Sequence, residues 1–193
     1  MSNKVKNILL VGVGGQGTIL VSKILSSGLL NAGYDVKMSE IHGMAQRGGS
    51  VSTQVRFGEK VHSPIMAHGQ ADILVSFEMM EALRWMKYLS PEGKVVINDY
   101  QIPSAPILFG KVDYPEGVAQ IISKKVNATI IKASEIAAKI GNARTMNIVL
   151  FGALVKSMKL TEIDWESAIR DNVKSNMVDI NIAAFKAGME TVN

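Results

Sequence analysis

Two short stretches of this chain combine glycines with polar side chains at spacings that suit the binding of an anionic ligand. The first runs from Gly12 to Gly17 and contains four glycines and one glutamine. Glycines at such spacing permit a tight turn and let backbone N–H groups approach a phosphate or carboxylate closely. The stretch predicts an anion-binding nest, with a tight packing turn that binds no ligand as the alternative. The cofactor-binding candidates in it are Gly12, Gly14, Gly15, Gln16 and Gly17.

The second stretch extends from Glu40 to Ser50 and has no helical or strand periodicity, so it is predicted to be a loop. It crowds charged, amide and hydroxyl side chains among three glycines. Loops on rigid scaffolds often carry functional residues. The catalytic candidates are its ionisable side chains, Glu40, His42 and Arg47. The further cofactor-binding candidates lie around that arginine, at Gln46, Gly48, Gly49 and Ser50.

Each ionisable candidate has two interpretations. Glu40 lies where a dinucleotide-binding fold places the acid that binds a ribose hydroxyl, but it could equally accept N–H bonds that brace the loop. Arg47 suits the carboxylate of an oxoacid or another anion, and a salt bridge across a subunit contact suits it as well. The histidines, His42, His62 and His68, do not have the spacing of a metal site, so no metal site is predicted.

The elements that must position these stretches follow from hydrophobic periodicity. An apolar run before Gly12 predicts a strand, and residues 16–32 predict a helix with a polar stripe, so the first glycine stretch has the strand–turn–helix context that a nest needs. Residues 34–39 predict a second strand. Residues 51–57 alternate as an antiparallel strand, with residues 61–65 as its predicted hairpin partner.

Further strands are predicted at 71–77 and 94–98, and an extended piece at 107–109. A helix is predicted over 134–140 with Ser134 as its N-cap, and residues 146–158 predict a buried helix in which Gly152 permits the close approach of another backbone. The predicted fold is α/β: a Rossmann-like, open, mostly parallel sheet with an inserted antiparallel hairpin and a helical C-terminal cover.

The composition limits the classes of protein to which the chain can belong. It has 193 residues, a net charge of +4 and no cysteine, which excludes thiolate catalysis and cysteine-ligated iron–sulfur clusters. Its lysines are scattered and not interleaved with aromatic residues, so nucleic-acid binding is not predicted. No signal peptide and no membrane-spanning stretch are visible, and a cytoplasmic location is predicted.

Both glycine stretches together resemble the gamma subunit, or gamma domain, of 2-oxoacid:ferredoxin oxidoreductases. The first contributes Gly12-Val-Gly-Gly-Gln-Gly17 and the second contributes Ser39-Glu-Ile-His-Gly-Met-Ala-Gln-Arg-Gly-Gly-Ser-Val51. The resemblance covers nearly the whole chain and is greatest to the beta subunit of indolepyruvate:ferredoxin oxidoreductases. It implies that residues 1–193 form a single pyruvate/ketoisovalerate oxidoreductase gamma-type catalytic domain.

The resemblance further implies a complex that decarboxylates an arylpyruvate on thiamine diphosphate, passes electrons through 4Fe-4S clusters to ferredoxin and transfers the acyl group to coenzyme A. Thiamine diphosphate, magnesium and the clusters are expected on a larger catalytic alpha subunit, since this chain resembles the subunit without those centres. The chain would complete the active-site wall or the coenzyme A channel and be inactive alone. Its glycine nest, Glu40, His42, Gln46 and Arg47 would face the partner's cofactor or the substrate.

Two other functions stay open on the sequence. A free-standing Rossmann-type nucleotide-binding protein would use Gly12, Gly14, Gly17 and Glu40 to hold a dinucleotide. A purely structural subunit would bind nothing at the glycine turn. A homodimer is also possible in the absence of the larger subunit.

Overall fold

The computed structural model describes residues 5–42 and 48–192, and within these ranges a six-stranded sheet forms the centre of the molecule. The strands are β1 (Lys6–Val13), β2 (Asp35–His42), β3 (Ser50–Gly58), β4 (Ala71–Ser76), β5 (Leu89–Asn98) and β6 (Asn127–Ile131). Their order across the sheet is β2-β3-β1-β4-β5-β6. β3 is antiparallel to both β1 and β2, whereas β1, β4, β5 and β6 pair in parallel. The mixed, mostly parallel α/β sheet is as predicted.

The helices of the described ranges lie against both faces of this sheet. They are α1 (Thr18–Asn31), α2 (Met79–Trp85), α3 (Ala105–Leu108), α4 (Val118–Ser123), α5 (Ala133–Ile140), α6 (Met146–Ser157), α7 (Trp165–Asn172) and α8 (Val178–Glu190). Short 3-10 turns occupy Met86–Tyr88, Ala143–Thr145 and Ser175–Met177. None of these helices is long and apolar enough to cross a bilayer.

Two hydrophobic clusters lie on opposite faces of the sheet. Helices α1 and α5 to α8 pack on the larger cluster, and α2 and α4 pack on the smaller one. The predicted close approach at Gly152 is confirmed, because a Cβ there would lie 2.1 Å from the carbonyl oxygen of Phe185 in α8. Gly188 meets α6 equally closely, with its Cβ position 1.9 Å from the carbonyl oxygen of Val149. The C-terminal helices therefore form the cover that the sequence predicted.

The predicted hairpin partner of β3 is wrong. β3 pairs with β2 rather than with residues 61–65, which form no strand. Side chains of β3 bind that segment instead: the Arg56 guanidinium donates to the carbonyl oxygens of Ser63 and Ile65 at 2.9 Å, and the Gln54 carbonyl accepts from the N–H of Met66 at 2.7 Å. The hydrogen bonds that this segment would have made as a strand of the sheet are replaced by bonds from its backbone to the side chains of Arg56 and Gln54.

The extended conformation predicted at 107–109 is also wrong. Residues 105–108 form the short helix α3, and Pro106 lies in its first turn. Proline is favoured there because its fixed φ matches the helix and its missing N–H is one that no helix could use.

Ser134 is not the N-cap of α5. The helix begins one residue earlier, at Ala133, and Lys132 occupies the cap position. The N–H of Ala133 donates to the side-chain oxygen of the buried Asn98 at 3.1 Å. A side chain from the end of β5 thus satisfies the helix terminus in place of a local serine.

Candidate functional site

The candidate residues meet at the edge of the sheet where the parallel strands end. β1 leads there into the glycine loop of residues 14–17, β4 leads into Glu78, and β5 leads into Asp99. β2 also ends there and β3 begins there, because β3 runs in the opposite direction. In open α/β sheets, ligands bind outside the carboxyl ends of the strands, so this edge is the candidate site.

The two glycine stretches are joined by backbone hydrogen bonds. The N–H of Gly14 donates to the carbonyl oxygen of Gly49 at 2.8 Å, and the N–H of Gly48 donates to the carbonyl oxygen of Gly14 at 3.3 Å. These bonds continue the β1–β3 ladder beyond its last pair, Val13 and Ser50. The N–H of Gly14 is therefore engaged within the protein rather than directed at a ligand.

Gly15 and Gly17 adopt the backbone conformation that the nest prediction requires. Their φ angles are +103° and +83°, in the left-handed region that favours glycine. Their N–H groups have no hydrogen-bond partner among the described residues, and α1 begins at Thr18 without a side-chain cap. The loop therefore offers free donors at the positive end of a helix.

Gly17 is held from the other side by a buried asparagine. Asn147, near the start of α6, donates from its side-chain amide to the carbonyl oxygen of Gly17 at 3.3 Å. A Cβ on Gly17 would lie 2.4 Å from that amide nitrogen. The glycine loop is thus positioned by α6 as well as by β1.

Gln16 does not face outward as a ligand contact would. Its side-chain oxygen accepts from the N–H of Val13 at 2.8 Å, and its side-chain nitrogen donates to the carbonyl oxygen of Phe77 at 2.8 Å. The side chain therefore bridges the ends of β1 and β4. Gly12 makes room for it, since a Cβ at Gly12 would lie 2.9 Å from both Gln16 Oε1 and Phe77 Cβ.

Glu40 and His42 lie together on β2, in a strand rather than in the predicted loop. His42 Nε2 is 3.4 Å from a carboxylate oxygen of Glu40, and the other oxygen of Glu40 is 3.0 Å from the hydroxyl of Ser22 in α1. β3 separates β2 from β1. Glu40 therefore braces α1 and is a full strand removed from the place of a ribose-binding acid beside β1.

The central part of the second glycine stretch, Gly43 to Arg47, lies outside the described residues and includes the candidates Gln46 and Arg47. The stretch resumes at Gly48, with a φ of +78°, and Gly49. Ser50, a predicted cofactor contact, donates its hydroxyl to the carboxylate of Glu81 at 2.5 Å. Ser50 thus ties the start of β3 to helix α2.

Sequence analysis missed a buried carboxylate network below this edge. The side chain of Glu78 is completely buried and caps α2 by accepting from the N–H of Glu81 at 2.9 Å. It also accepts from the N–H of Ile102 at 3.1 Å and from the hydroxyl of Tyr114 at 2.5 Å. Burial and this bond to Glu78 raise the pKa of Tyr114 well above its ordinary value. The one signal in the sequence is an acid placed between an apolar strand and a helix, which indicates a cap but not its burial.

An exposed apolar surface projects from the same edge. Leu108, Phe109 and Val112, which we term the apolar segment, are 71%, 77% and 56% exposed. These side chains belong to the connection between β5 and α4. Both ends of that connection are anchored at the start of α2, because the N–H of Ile102 and the hydroxyl of Tyr114 donate to Glu78. Such a group of large apolar side chains on an anchored connection is typical of a protein-binding surface.

The residue types of the chain bear on which metal centres it could hold. The chain has no cysteine that could ligate an iron–sulfur cluster. In the described ranges no group of three His, Asp or Glu side chains is arranged to hold a metal ion. The site can donate N–H groups to an anion and can present surfaces to a partner.

Comparison with known proteins places this geometry in a family context. Residues 7–191 match the family described as pyruvate ferredoxin/flavodoxin oxidoreductase. The chain is 41% identical over 188 residues to the indolepyruvate oxidoreductase subunit IorB of Archaeoglobus fulgidus, covering 94% of this chain and 92% of that protein. It is 38% identical over 190 residues to the subunit of the same name from Pyrococcus horikoshii, covering 95% and 94%.

The fold is likewise that of a solved oxidoreductase subunit. The gamma subunit of a keto/oxoacid ferredoxin oxidoreductase from Geobacter sulfurreducens superposes with a TM-score of 0.71 at 21% identity, covering 96% of this chain and 97% of that one.

Proposed function

The chain belongs to the pyruvate ferredoxin/flavodoxin oxidoreductase family, and on this premise we propose that it is the small subunit of a 2-oxoacid:ferredoxin oxidoreductase. The substrate class we propose is an arylpyruvate such as indolepyruvate, because the relatives that are 38% and 41% identical are indolepyruvate oxidoreductase subunits. The complex would convert the oxoacid, coenzyme A and oxidised ferredoxin to acyl-coenzyme A, carbon dioxide and reduced ferredoxin. Residues 1–193 would act as one gamma-type domain.

The observation that carries the proposal is an ordered site at the carboxyl ends of the strands, in a chain that has no cysteine to ligate an iron–sulfur cluster. The two glycine stretches are bonded to each other at the carboxyl ends of the strands, and buried carboxylates support them from below. The chain has no cysteine, so it cannot hold the clusters that reduce ferredoxin. Thiamine diphosphate, magnesium and the 4Fe-4S clusters therefore belong, in this proposal, to a larger catalytic subunit in the cytoplasm.

The role of the chain in the complex is to complete the active-site wall. Gly15 and Gly17 have N–H groups that bond to none of residues 5–42 and 48–192, and such groups suit an anionic portion of the substrate or of coenzyme A. Glu40 and His42 end β2 at the same edge. Arg47 follows His42 by five positions in the sequence. We propose that it contacts the oxoacid carboxylate, as a guanidinium pairs well with that group.

The apolar segment supports the proposed association with the larger subunit. Leu108, Phe109 and Val112 project from the edge that carries the glycine loops. Burying a phenylalanine side chain stabilises an interface by about 1.5–3 kcal/mol. A partner that covers the apolar segment would also close the edge where Gly15 and Gly17 lie.

The geometry argues against the free-standing dinucleotide-binding protein. The crevice between β1 and β4, where a dinucleotide would lie, is bridged by the side chain of Gln16. The acid that would bind a ribose, Glu40, is separated from β1 by the whole of β3 and bonds to Ser22 instead. The acid-to-ribose contact of dinucleotide binding is therefore not available at this edge.

Reconstitution with the larger subunit tests the active-site role. The variant Arg47→Ala should assemble normally but lower kcat/KM for the oxoacid by about tenfold or more, since a charge-assisted bond to a carboxylate contributes about 1.5–3 kcal/mol. Arg170→Ala, an exposed arginine on α7, is the matched control and should retain full activity. Loss of activity that follows only loss of assembly would instead indicate a purely structural subunit.

A further inference from the structure

A cleft of about 280 Å³ opens between α1, α6 and α8, beside the glycine loop. Leu20 from the first turn of α1, Asn147 from α6 and Asn181 from α8 lie in its wall. Arg144 and Lys174 complete the wall from the connections that precede α6 and α8. None of the contacts proposed above for the oxoacid or for the larger subunit uses this cleft.

The cleft is positively charged and has no negative group in its lining. Arg144 and Lys174 both line it, and no aspartate or glutamate does. Neither cation is ion-paired with a carboxylate of the described residues. Asp179, in the first turn of α8, lies outside the lining. Two cations with no counter-charge in one concave site suit a group that carries close to two negative charges.

The neutral polar groups of the cleft are amides held in fixed positions. The side-chain nitrogens of Asn147, Asn172 and Asn181 each donate one bond to a backbone carbonyl, at 3.3, 2.8 and 2.7 Å respectively. Each amide nitrogen has a second N–H, which is available to a ligand oxygen. The bonds to the backbone orient these groups before any ligand arrives, and such preorganisation lowers the entropic cost of binding.

The remaining lining is apolar, and helix ends add to the positive potential. Leu20, Val173 and Met177 contribute the apolar part of the wall. Helices α1, α6 and α8 each begin at this cleft without a side-chain cap. Their partial positive charges reinforce the two cations, although the cavity and the unpaired side chains are what define the site.

We propose that this cleft is a binding site for an organic phosphate, with the phosphate held between Arg144 and Lys174 and an apolar portion packed on Leu20, Val173 and Met177. Its volume is at the lower end of the range for ligand sites, so it accommodates a small molecule or one end of a longer one. A phosphate fits better than a carboxylate because it carries nearly two charges and offers three acceptor oxygens to the cations and amides. This site is separate from the oxoacid site, and the inference does not depend on the proposed function.

Titration of the full chain with phenyl phosphate tests the proposal. We expect saturable binding by calorimetry, weaker binding of inorganic phosphate, and no binding of phenol. The double variant Arg144→Gln/Lys174→Gln should weaken phenyl phosphate binding by about a hundredfold or more, because each of the two charged hydrogen bonds contributes about tenfold or more. The control, Lys124→Gln/Lys125→Gln, removes the same charge from the exposed end of α4 and should bind like the wild type.

Two-dimensional NMR of the same samples locates the ligand. The side-chain amide signals of Asn147, Asn172 and Asn181 should shift on titration, and circular dichroism should show that both double variants are folded. Absence of saturable binding, equal weakening in both double variants, or shifts confined to other residues would each overturn the proposal. None of these readouts requires oxidoreductase activity, so failure here leaves the proposed function standing.

Discussion

The N–H of Gly14 donates to the carbonyl oxygen of Gly49 at 2.8 Å, and through this bond two distant glycine stretches become one structure. Gly14 directly follows β1 and Gly49 directly precedes β3, so the bond prolongs the ladder between these strands. Gly48 returns a second bond to the carbonyl oxygen of Gly14. A ligand that contacts the first stretch therefore lies beside the second, which is the arrangement that a shared site requires.

Alanine substitutions at Gly15 and Gly17 should lower the unfolding free energy by different amounts. Gly17→Ala introduces strain at a φ of +83° and a Cβ 2.4 Å from the Asn147 amide. Gly15→Ala introduces strain alone, because no atom of the described part of the chain lies within 4 Å of its Cβ. We expect Gly15→Ala to cost about 1 kcal/mol of unfolding free energy and Gly17→Ala to cost clearly more. Urea denaturation of both variants measures this, and equal losses would show that Asn147 does not confine the loop.

Gln16→Ala should destabilise the fold although the residue lies in the stretch that was predicted to bind an anion. The substitution leaves the N–H of Val13 without its acceptor and removes a donor from the carbonyl of Phe77. A buried unsatisfied group costs about 1–3 kcal/mol. The exposed Gln120 on α4 provides the control, and Gln120→Ala should change the unfolding free energy by less than about 0.5 kcal/mol. A Gln16→Ala protein as stable as that control would refute the bridging role.

The strand–glycine–helix unit could be predicted from sequence because its determinants are local. Periodicity places β1 and α1, and the density of glycines places the turn between them. The same local rules identified β3 as a strand but assigned it residues 61–65 as a partner. They could not show that β3 inserts between β1 and β2, since strand order depends on contacts between distant segments.

The polar interior of the site was beyond local rules for a similar reason. Gln16 and Ser50 were predicted to contact a cofactor because they accompany glycines. In the folded chain Gln16 bonds to Phe77, which follows β4, and Ser50 bonds to Glu81 of α2. These hydrogen bonds join segments that are far apart in the sequence, so they could be identified only in the folded chain. Glu78 was interpretable as a cap, but its burial against Tyr114 depends on the return of a distant loop.

The stability contributed by Tyr114 should depend on pH in the alkaline range. The pKa of its phenol is raised above the ordinary value of 10.0 by burial and by the bond to Glu78. The unfolded phenol ionises first as the pH rises, so this stabilisation is complete below pH 10 and declines above it. The stability difference between wild type and Tyr114→Phe should therefore be constant up to about pH 10 and shrink from about pH 10 to about pH 12 in urea denaturation. A constant difference over that range would contradict the assignment.

Absorbance of tyrosinate provides an independent reading of the same residue. Of the four tyrosines in the chain, the one that titrates last in the folded protein should be missing from Tyr114→Phe. If the last-titrating component persists in that variant, it belongs to another tyrosine and the bond to Glu78 is not the cause.

Phe109→Ser should weaken assembly without unfolding the chain. Phe109 is 77% exposed, so its replacement costs the isolated chain little. Removing about 1.5–3 kcal/mol of apolar burial from the interface would weaken binding to the larger subunit by at least about tenfold. Leu30→Ser is the matched control, because Leu30 is 56% exposed but lies at the far end of α1. Surface plasmon resonance with the larger subunit separates the two, and equal affinities would place the interface elsewhere.

Affinity purification of the tagged chain from its own cells, followed by analysis of what accompanies it, tests the central claim most directly. The account predicts that a larger subunit co-purifies, with iron, acid-labile sulfide and thiamine diphosphate in the complex and none of these on the isolated chain. Recovery of the chain alone or only with itself, under conditions that preserve other protein complexes of the same cells, would contradict its assignment as an oxidoreductase subunit.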